Sequence, residues 1–239
     1  MNYIILNGYA SIGVQGLIVQ ELPPITKPQI RSNIETIDGR DGDIITRLGY
    51  SAYTKTFTIG LKKDANIDEV ISYFSQNDSG RITFSNEPDL YYNFELLDPI
   101  DFERLIRFRQ AKISIHVQPF KYSLKEGNTE FFLPSDKVII ITNSGNIYSK
   151  PVLQIRGYGD VNVSLNGVQI FTINFSTARP EVITIDSAQM EAYDDSGLRN
   201  RSVSGNYSRF KFNAGRNALK FSGSGIVSQV LVENYSRWL

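Results

Sequence analysis

The chain has 239 residues, and its hydrophobic fraction of 41% is enough to bury the core of one large all-β domain or of two smaller domains. Lys plus Arg and Asp plus Glu both number 25, so the chain lacks the excess of positive charge that is typical of duplex-binding proteins. The absence of cysteine excludes disulfides, thiolate metal sites and a cysteine nucleophile.

The N-terminal stretch Met1 to Gln20 is fairly apolar, but it has no basic leader and is interrupted by Asn7, Gly8 and Gly16. We therefore interpret it as two opening strands and not as a signal peptide. No apolar run in the sequence approaches the length that spans a membrane. We expect a soluble protein that is made in the cytoplasm.

A hairpin is predicted next, with strands from Asn33 to Ile37 and from Asp43 to Arg47 and a turn at Gly39, Arg40, Asp41 and Gly42. Its tip is polar and charged, so we expect it to reach away from the core of its own domain. The aspartates at this tip miss the alternate ligand spacing and the distal glutamate of a calcium-binding EF-hand loop. A charged turn is the better interpretation.

One helix is predicted in this half, because Ile67, Val70, Ile71 and Phe74 recur at helical spacing behind Asn66 as N-cap. The alternating residues on either side of it predict a barrel-like or sandwich sheet. The segment from Phe102 to Val117 is predicted to be extended.

Two features of that extended segment are candidates for a functional role. His116 is the only histidine, and it falls on the polar side of the strand without a paired acid, so we interpret it as a solvated side chain and not as a catalytic base. The local basic cluster could contact nucleic acid, but its spacing along a strand edge favours a solvated face; it comprises Arg104, Arg107, Arg109 and Lys112.

The polar stretch around Gly127 predicts a linker over residues 125–130 between a first domain, 1–124, and a second domain, 131–239. The strongest hairpin signal of the chain lies in the second domain, where Asn166-Gly167 joins two alternating runs from Val161 to Ile173. Many short strands with turn residues between them predict a β-sandwich or jelly roll there.

Candidate catalytic chemistry is sparse. Glycoside hydrolysis requires two carboxylates that face each other across a cleft. The acidic residues available are more typical of solvent-exposed turns; they are Asp186, Glu191, Asp194 and Asp195. Exposed aromatic residues would favour sugar binding, but Phe210, Phe212 and Phe221 alternate like core residues, and Trp238 is the only tryptophan. We therefore expect no enzyme, cofactor or metal, and keep a carbohydrate-binding β-sandwich module as the alternative function.

The order of these landmarks resembles the distal tail (Dit) family of bacteriophages with long, non-contractile tails. The first half is similar through Asn7-Gly8, the turn at residues 39–42, the single helix, and the stretch from Gln118 to Tyr122. The second half is similar through a further set of turns, namely residues 143–146, 157–159, 165–167, 185–187 and 215–217.

The resemblance implies a mainly β protein with a tail-tube-like β-barrel or sandwich first and a galectin-like sandwich second. It implies a structural hub of the phage tail tip or baseplate, a hexameric ring in the virion through which DNA passes unbound during genome ejection. The implied partners are further copies of the chain, the tail-tube protein, a tail-associated lysin or fibre protein, and receptor-binding proteins used in host attachment. The turn at Gly39, Arg40, Asp41 and Gly42 is then a candidate inter-subunit contact.

Overall fold

The computed structural model describes residues 1–126, 128–132 and 138–239. They form two compact units, one comprising residues 1–124 together with Leu239 and the other residues 125–238. Both units are built mainly from β-strands, which confirms the predicted fold class. Within the described ranges, no helix has the length and apolar character that a membrane crossing requires.

The first unit contains one large sheet and a separate hairpin. The large sheet has the strand order β2-β1-β7-β8-β9-β6-β3, and β4 pairs with β5. Its core includes Ile4, Phe57, Ile82 and Val117 from four of these strands. The strands are β1 Ile4–Leu6, β2 Tyr9–Ala10, β3 Leu17–Glu21, β4 Ile30–Thr36, β5 Asp43–Tyr50, β6 Tyr53–Leu61, β7 Ser79–Phe84, β8 Leu90–Glu95 and β9 Gln110–Ser123.

The predicted helix is confirmed as α1, Ile67–Ser75. It begins where the sequence predicts, because Oδ1 of Asn66 accepts a hydrogen bond of 3.3 Å from the backbone amide of Glu69 and satisfies one of the free donors of the first turn. Val70 and Phe74 lie on the buried side of the helix and join the core of the sheet. A short 3-10 turn, Ser11–Gly13, precedes β3.

The extended prediction for Phe102 to Val117 is wrong in its first part, where a second helix, α2, spans Phe102–Phe108. Asp101 caps it, with Oδ1 accepting a 2.8 Å hydrogen bond from the backbone amide of Arg104. Arg109 then adopts a left-handed conformation with φ of 56°, which ends the helix before β9 begins. The chain therefore changes from helix to strand within a single stretch of alternating apolar and basic residues.

The second unit is a sandwich of two sheets, in the orders β10-β20-β12-β15-β16-β17 and β11-β19-β13-β14-β18. Ile155 and Ile183 from one sheet and Val163 and Leu219 from the other belong to one buried cluster, which confirms the predicted β-sandwich. The strands of the two sheets are β10 Asn128–Phe132, β11 Val138–Asn143, β12 Val152–Tyr158, β13 Asp160–Leu165, β14 Val168–Asn174, β15 Glu181–Asp186, β16 Glu191–Asp194, β17 Gly197–Leu198, β18 Val203–Gly205, β19 Gly215–Ser222 and β20 Ile226–Glu233. A further short strand, β21 Arg237–Trp238, belongs to neither of these two sheets. The likeness to a galectin sandwich stays a prediction.

The predicted hairpin around Asn166-Gly167 is confirmed as β13 and β14. Asn166 and Gly167 have φ angles of 51° and 83°, as a two-residue type I′ turn requires. A register shift after Val163 places both Ile170 and Phe171 in the core, so the simple alternation that the sequence predicts is interrupted there.

The segment between the units differs from the predicted linker, 125–130. Gly127 lies outside the described residues. Residues 128–130 belong to β10, which pairs with β20 at the edge of its sheet. The polar composition that indicated a linker is equally suited to an edge strand with a solvated side.

Candidate functional site

The predicted hairpin in the first unit is present and is longer than the sequence analysis expected. Its strands β4 and β5 extend to Ile30 and Tyr50, and Ile34 lies directly opposite Ile45 in the antiparallel register. Gly39 and Gly42 have φ angles of 80° and 79°, which residues with a β-carbon adopt only at a cost. The amide of Arg40 donates a 3.1 Å hydrogen bond to the carbonyl of Ile37 and tightens the turn.

The hairpin projects its apolar side chains into solvent. Ile34 is 58% exposed and Ile45 is 63% exposed, although directly opposite isoleucines on one face form a pair that is normally covered. Ile37 and Leu48 are also exposed. A two-stranded hairpin on its own is marginally stable in water, so such a face is expected to gain a partner.

Polar groups surround this apolar pair. Oγ1 of Thr36 donates a 2.9 Å hydrogen bond to Oδ1 of Asp43 across the strands, and Nδ2 of Asn33 donates a 2.7 Å hydrogen bond to Oε1 of Glu35. The tip from Asp38 to Asp43 carries three acidic residues and one basic residue, a net charge of −2. An apolar centre with a polar rim is the composition of a protein-binding surface.

The base of the hairpin is fixed to the large sheet. The rings of Tyr50 and Phe120 meet edge to face with 5.5 Å between their centroids. Nζ of Lys55, a buried residue of β6, donates a 2.8 Å hydrogen bond to the carbonyl of Pro24 in the segment that leads into β4. Burial lowers the pKa of Lys55 below its ordinary value. The β4–β5 hairpin, called the arm below, is thus anchored at its base and exposed along its length.

The other sequence candidates are separate from the hairpin and from each other. His116 is half-buried on β9, between Thr54 and Glu95 of the neighbouring strands. Phe210, Phe212 and Phe221 lie in the core of the second unit, as predicted, and Trp238 is half-buried. Within the residues described, no group of three His, Cys, Asp or Glu side chains is placed to hold a metal ion.

Two of the four candidate carboxylates of the second unit, Asp186 and Asp194, are engaged in local structure. Asp186 lies opposite Glu191, but its Oδ1 accepts hydrogen bonds from the amides of Ala188 and Gln189 and closes a turn. Oδ1 of Asp194 accepts from Ser196, which lowers the pKa of this carboxyl, and Oδ2 lies 3.2 Å from Arg199. Asp195 is exposed on the same turn. These roles are the turn-forming ones that the sequence favours.

Sequence reasoning missed the exposure of Ile34 and Ile45, because alternation indicates which residues share a face and not whether that face is covered. It also missed the surface of α2, where Phe108 is 63% exposed. A usable signal for α2 was present in Asp101 as the N-cap residue and in Glu103 as an acidic residue of the first turn.

The first unit, which carries the hairpin, was compared with models of known protein families. Residues 12–117 match the family model described as phage tail protein RIFT-related domain. The unit that carries the hairpin is therefore similar to a domain of phage tail proteins. No curated protein sequence matches the chain.

Solved structures extend the likeness to the whole chain. The chain is similar to the Dit protein of phage SPP1, described as a paradigm of the hub adsorption apparatus in phages that infect Gram-positive bacteria, with a TM-score of 0.65, 16% identity and 100% of each chain covered. A structure of the phage P2 baseplate activated with Ca gives a TM-score of 0.48 at 10% identity, covering 98% of each chain. The fold is that of a distal tail protein, which confirms the resemblance found in the sequence.

Proposed function

We propose that this chain is the structural hub of a phage tail tip, without enzymatic activity. Six copies form a ring that joins the tail tube to a tail-associated lysin or fibre protein and to the receptor-binding apparatus. The hub role described for the SPP1 protein supports the proposal, together with the match of residues 12–117 to the phage tail family model. The hub is made in the host cytoplasm and carried in the virion.

The observation that carries the proposal is the β4–β5 hairpin. It presents an uncovered pair of isoleucines and two unpaired strand edges within the tail domain, and a partner surface is needed to bury them. If that surface lies elsewhere on a second copy, each copy both gives and receives a contact. Such a head-to-tail contact closes into a ring when the rotation between successive copies divides a full turn. The equal numbers of basic and acidic residues suit a ring that DNA crosses without being held.

Native mass spectrometry and negative-stain microscopy of the purified chain test the proposal. We expect closed rings of six copies, either at high protein concentration or on addition of the tail-tube protein of the same phage. A chain that stays monomeric under both conditions would contradict the proposal.

Paired variants locate the contact. The double variant Ile34→Asp, Ile45→Asp should abolish rings while the thermal midpoint stays near that of the wild type, because both side chains are exposed in the single chain. Val168→Asp is the matched control, since Val168 is an exposed apolar residue of another hairpin in the second unit. Rings should persist in this control.

A further inference from the structure

A hollow of about 560 Å³ lies beside α2 in the first unit. Arg104 and Phe108 from the helix and Lys112 from β9 are among the residues that line it. The Phe108 ring is largely exposed, and Leu97 and Ile106 add exposed apolar surface nearby in the sequence. The hollow therefore combines an apolar wall with cationic side chains.

The cations at this hollow are available to a partner. In the parts of the chain that the structure describes, no ion pair involves Arg104, Arg107 or Lys112. The acidic residue that lines the hollow, Asp101, already accepts the backbone amide of Arg104 through Oδ1. An anionic partner would gain charge-assisted contacts here without displacing an existing ion pair.

A matching surface exists on the same chain. The hairpin tip carries Asp38, Asp41 and Asp43 against Arg40 alone, and the exposed Ile37 immediately precedes it. Both the tip and the hollow are exposed within one copy, so they do not cover each other there. Opposite charge beside exposed apolar residues is the complementarity expected of two surfaces that bind each other.

A second hollow of the first unit offers the tip a poorer site. It measures about 750 Å³ and is lined by Tyr9 and Ile12 together with residues of α1. Its lining contains one charged residue, Glu69, which would repel the acidic tip. Of these two hollows in the first unit, the smaller one therefore has the charge that suits the acidic tip.

We propose that the hollow beside α2 receives the β4–β5 hairpin tip of the neighbouring copy, with Asp38 and Asp41 facing Arg104 and Lys112. This inference rests on the proposed ring and adds the identity of the receiving surface. The seven residues of β4 give the arm a reach of about 23 Å at a strand rise of about 3.3 Å per residue, long enough to cross onto a neighbouring subunit.

Cysteine pairs test the contact directly, because the natural chain has no cysteine and only the introduced thiols can react. The variant Ile37→Cys, Phe108→Cys should form disulfides between copies under mild oxidation and give a ladder of covalent oligomers on a non-reducing gel. The matched pair Ile37→Cys, Ile12→Cys places the second thiol in the other hollow and should give no ladder. Each single-cysteine variant controls for chance collisions.

The outcomes separate the inference from the proposed function. Rings that form without the first crosslink, or with the Ile12 crosslink instead, would overturn the receiving surface and leave the ring intact. A chain that forms no ring with or without crosslinking would overturn both.

Charge reversal gives an independent readout. Arg104→Glu with Lys112→Glu should raise the concentration at half assembly by about tenfold, and adding Asp38→Lys with Asp41→Lys should restore most of the loss. Lys63→Glu, an exposed cation of the same unit that does not line the hollow, should leave assembly unchanged. Failure of the added lysines to restore assembly would contradict the pairing of tip and hollow.

Discussion

Nζ of Lys121 lies 2.7 Å from Oε1 of Glu87, and the two side chains are only 7% and 10% exposed. The hydroxyl of Tyr92 donates a 2.8 Å hydrogen bond to the other oxygen of the same carboxylate. The ammonium group of Lys55 lies 4.9 Å from the centre of the Tyr92 ring. The carboxylate of Glu87 thus forms an ion pair with Lys121 and also interacts electrostatically with the buried Lys55.

Replacing Glu87 by Gln should destabilise the first unit by about 3 kcal/mol, because the buried ammonium groups lose their compensating charge. Urea unfolding at neutral pH measures this loss. Glu95→Gln is the control, since Glu95 is an exposed carboxylate of the neighbouring strand β8. Equal stabilities of the two variants would show that the buried pair contributes nothing beyond a surface carboxylate.

The buried Tyr73 predicts a pH dependence. Its hydroxyl donates a 3.0 Å hydrogen bond to the carbonyl of Tyr9, and burial raises the pKa of Tyr73 above its ordinary value of 10.0. The folded state keeps the neutral phenol while the unfolded state ionises, so this contribution is complete below pH 10.0 and falls as the pH rises further.

Tyr73→Phe should therefore cost about 1 kcal/mol at neutral pH and show a shallower loss of stability above about pH 10. Urea unfolding across this range measures both effects. Tyr9→Phe, at an exposed tyrosine, should keep the shape of the wild-type curve. A parallel alkaline decline in wild type and Tyr73→Phe would exclude Tyr73 as its source.

Replacing Gly42 by Val strains the hairpin tip. A β-carbon at Gly42 meets no atom within 4 Å, so the cost of about 1 kcal/mol or more comes from its positive φ alone. Ring formation should weaken before the melting temperature of the chain changes. Gly167→Val imposes the same strain on the β13–β14 hairpin and should leave rings intact. A lowered melting temperature with unchanged assembly in Gly42→Val would show that this turn serves only its own unit.

Assembly is expected to reside in the first unit. A fragment of residues 1–124 should still form rings, whereas residues 125–239 should be monomeric, because the two sheets of the second unit share one core and need no neighbour to close it. Limited proteolysis followed by sizing of the fragments measures this. An oligomeric second fragment beside a monomeric first one would reverse the assignment.

Local chemistry explains which elements could be predicted. Asn66 caps α1 with its side chain and so sets the start of that helix. Asn166 and Gly167 adopt the backbone angles of a tight turn and so set the register of the β13–β14 hairpin. The helix α2 was not separated from β9 because the two adjoin at Arg109, a left-handed position that glycine usually occupies and marks in a sequence.

The candidate site could be predicted only in part, because only some of its features depend on neighbouring residues in the sequence. The turn residues Gly39 and Gly42 revealed the hairpin and its charged tip. The anchor at its base could not be predicted, since Lys55, Pro24 and Glu87 come from separate segments and meet only through tertiary packing. Whether Ile34 and Ile45 are covered depends on a second molecule, which a single sequence does not describe.

The two outer edges of the β4–β5 hairpin, which pair with no further strand of the described residues, also bear on aggregation. An exposed apolar strand with open backbone groups is a template for amyloid-like stacking. Here the isoleucines are flanked by Arg31, Glu35, Asp43 and Arg47, all exposed, and such gatekeeper charges oppose stacking of identical strands in register. The same charges do not oppose contact with a surface of complementary charge, so they disfavour stacking of identical hairpins more than binding to a different surface.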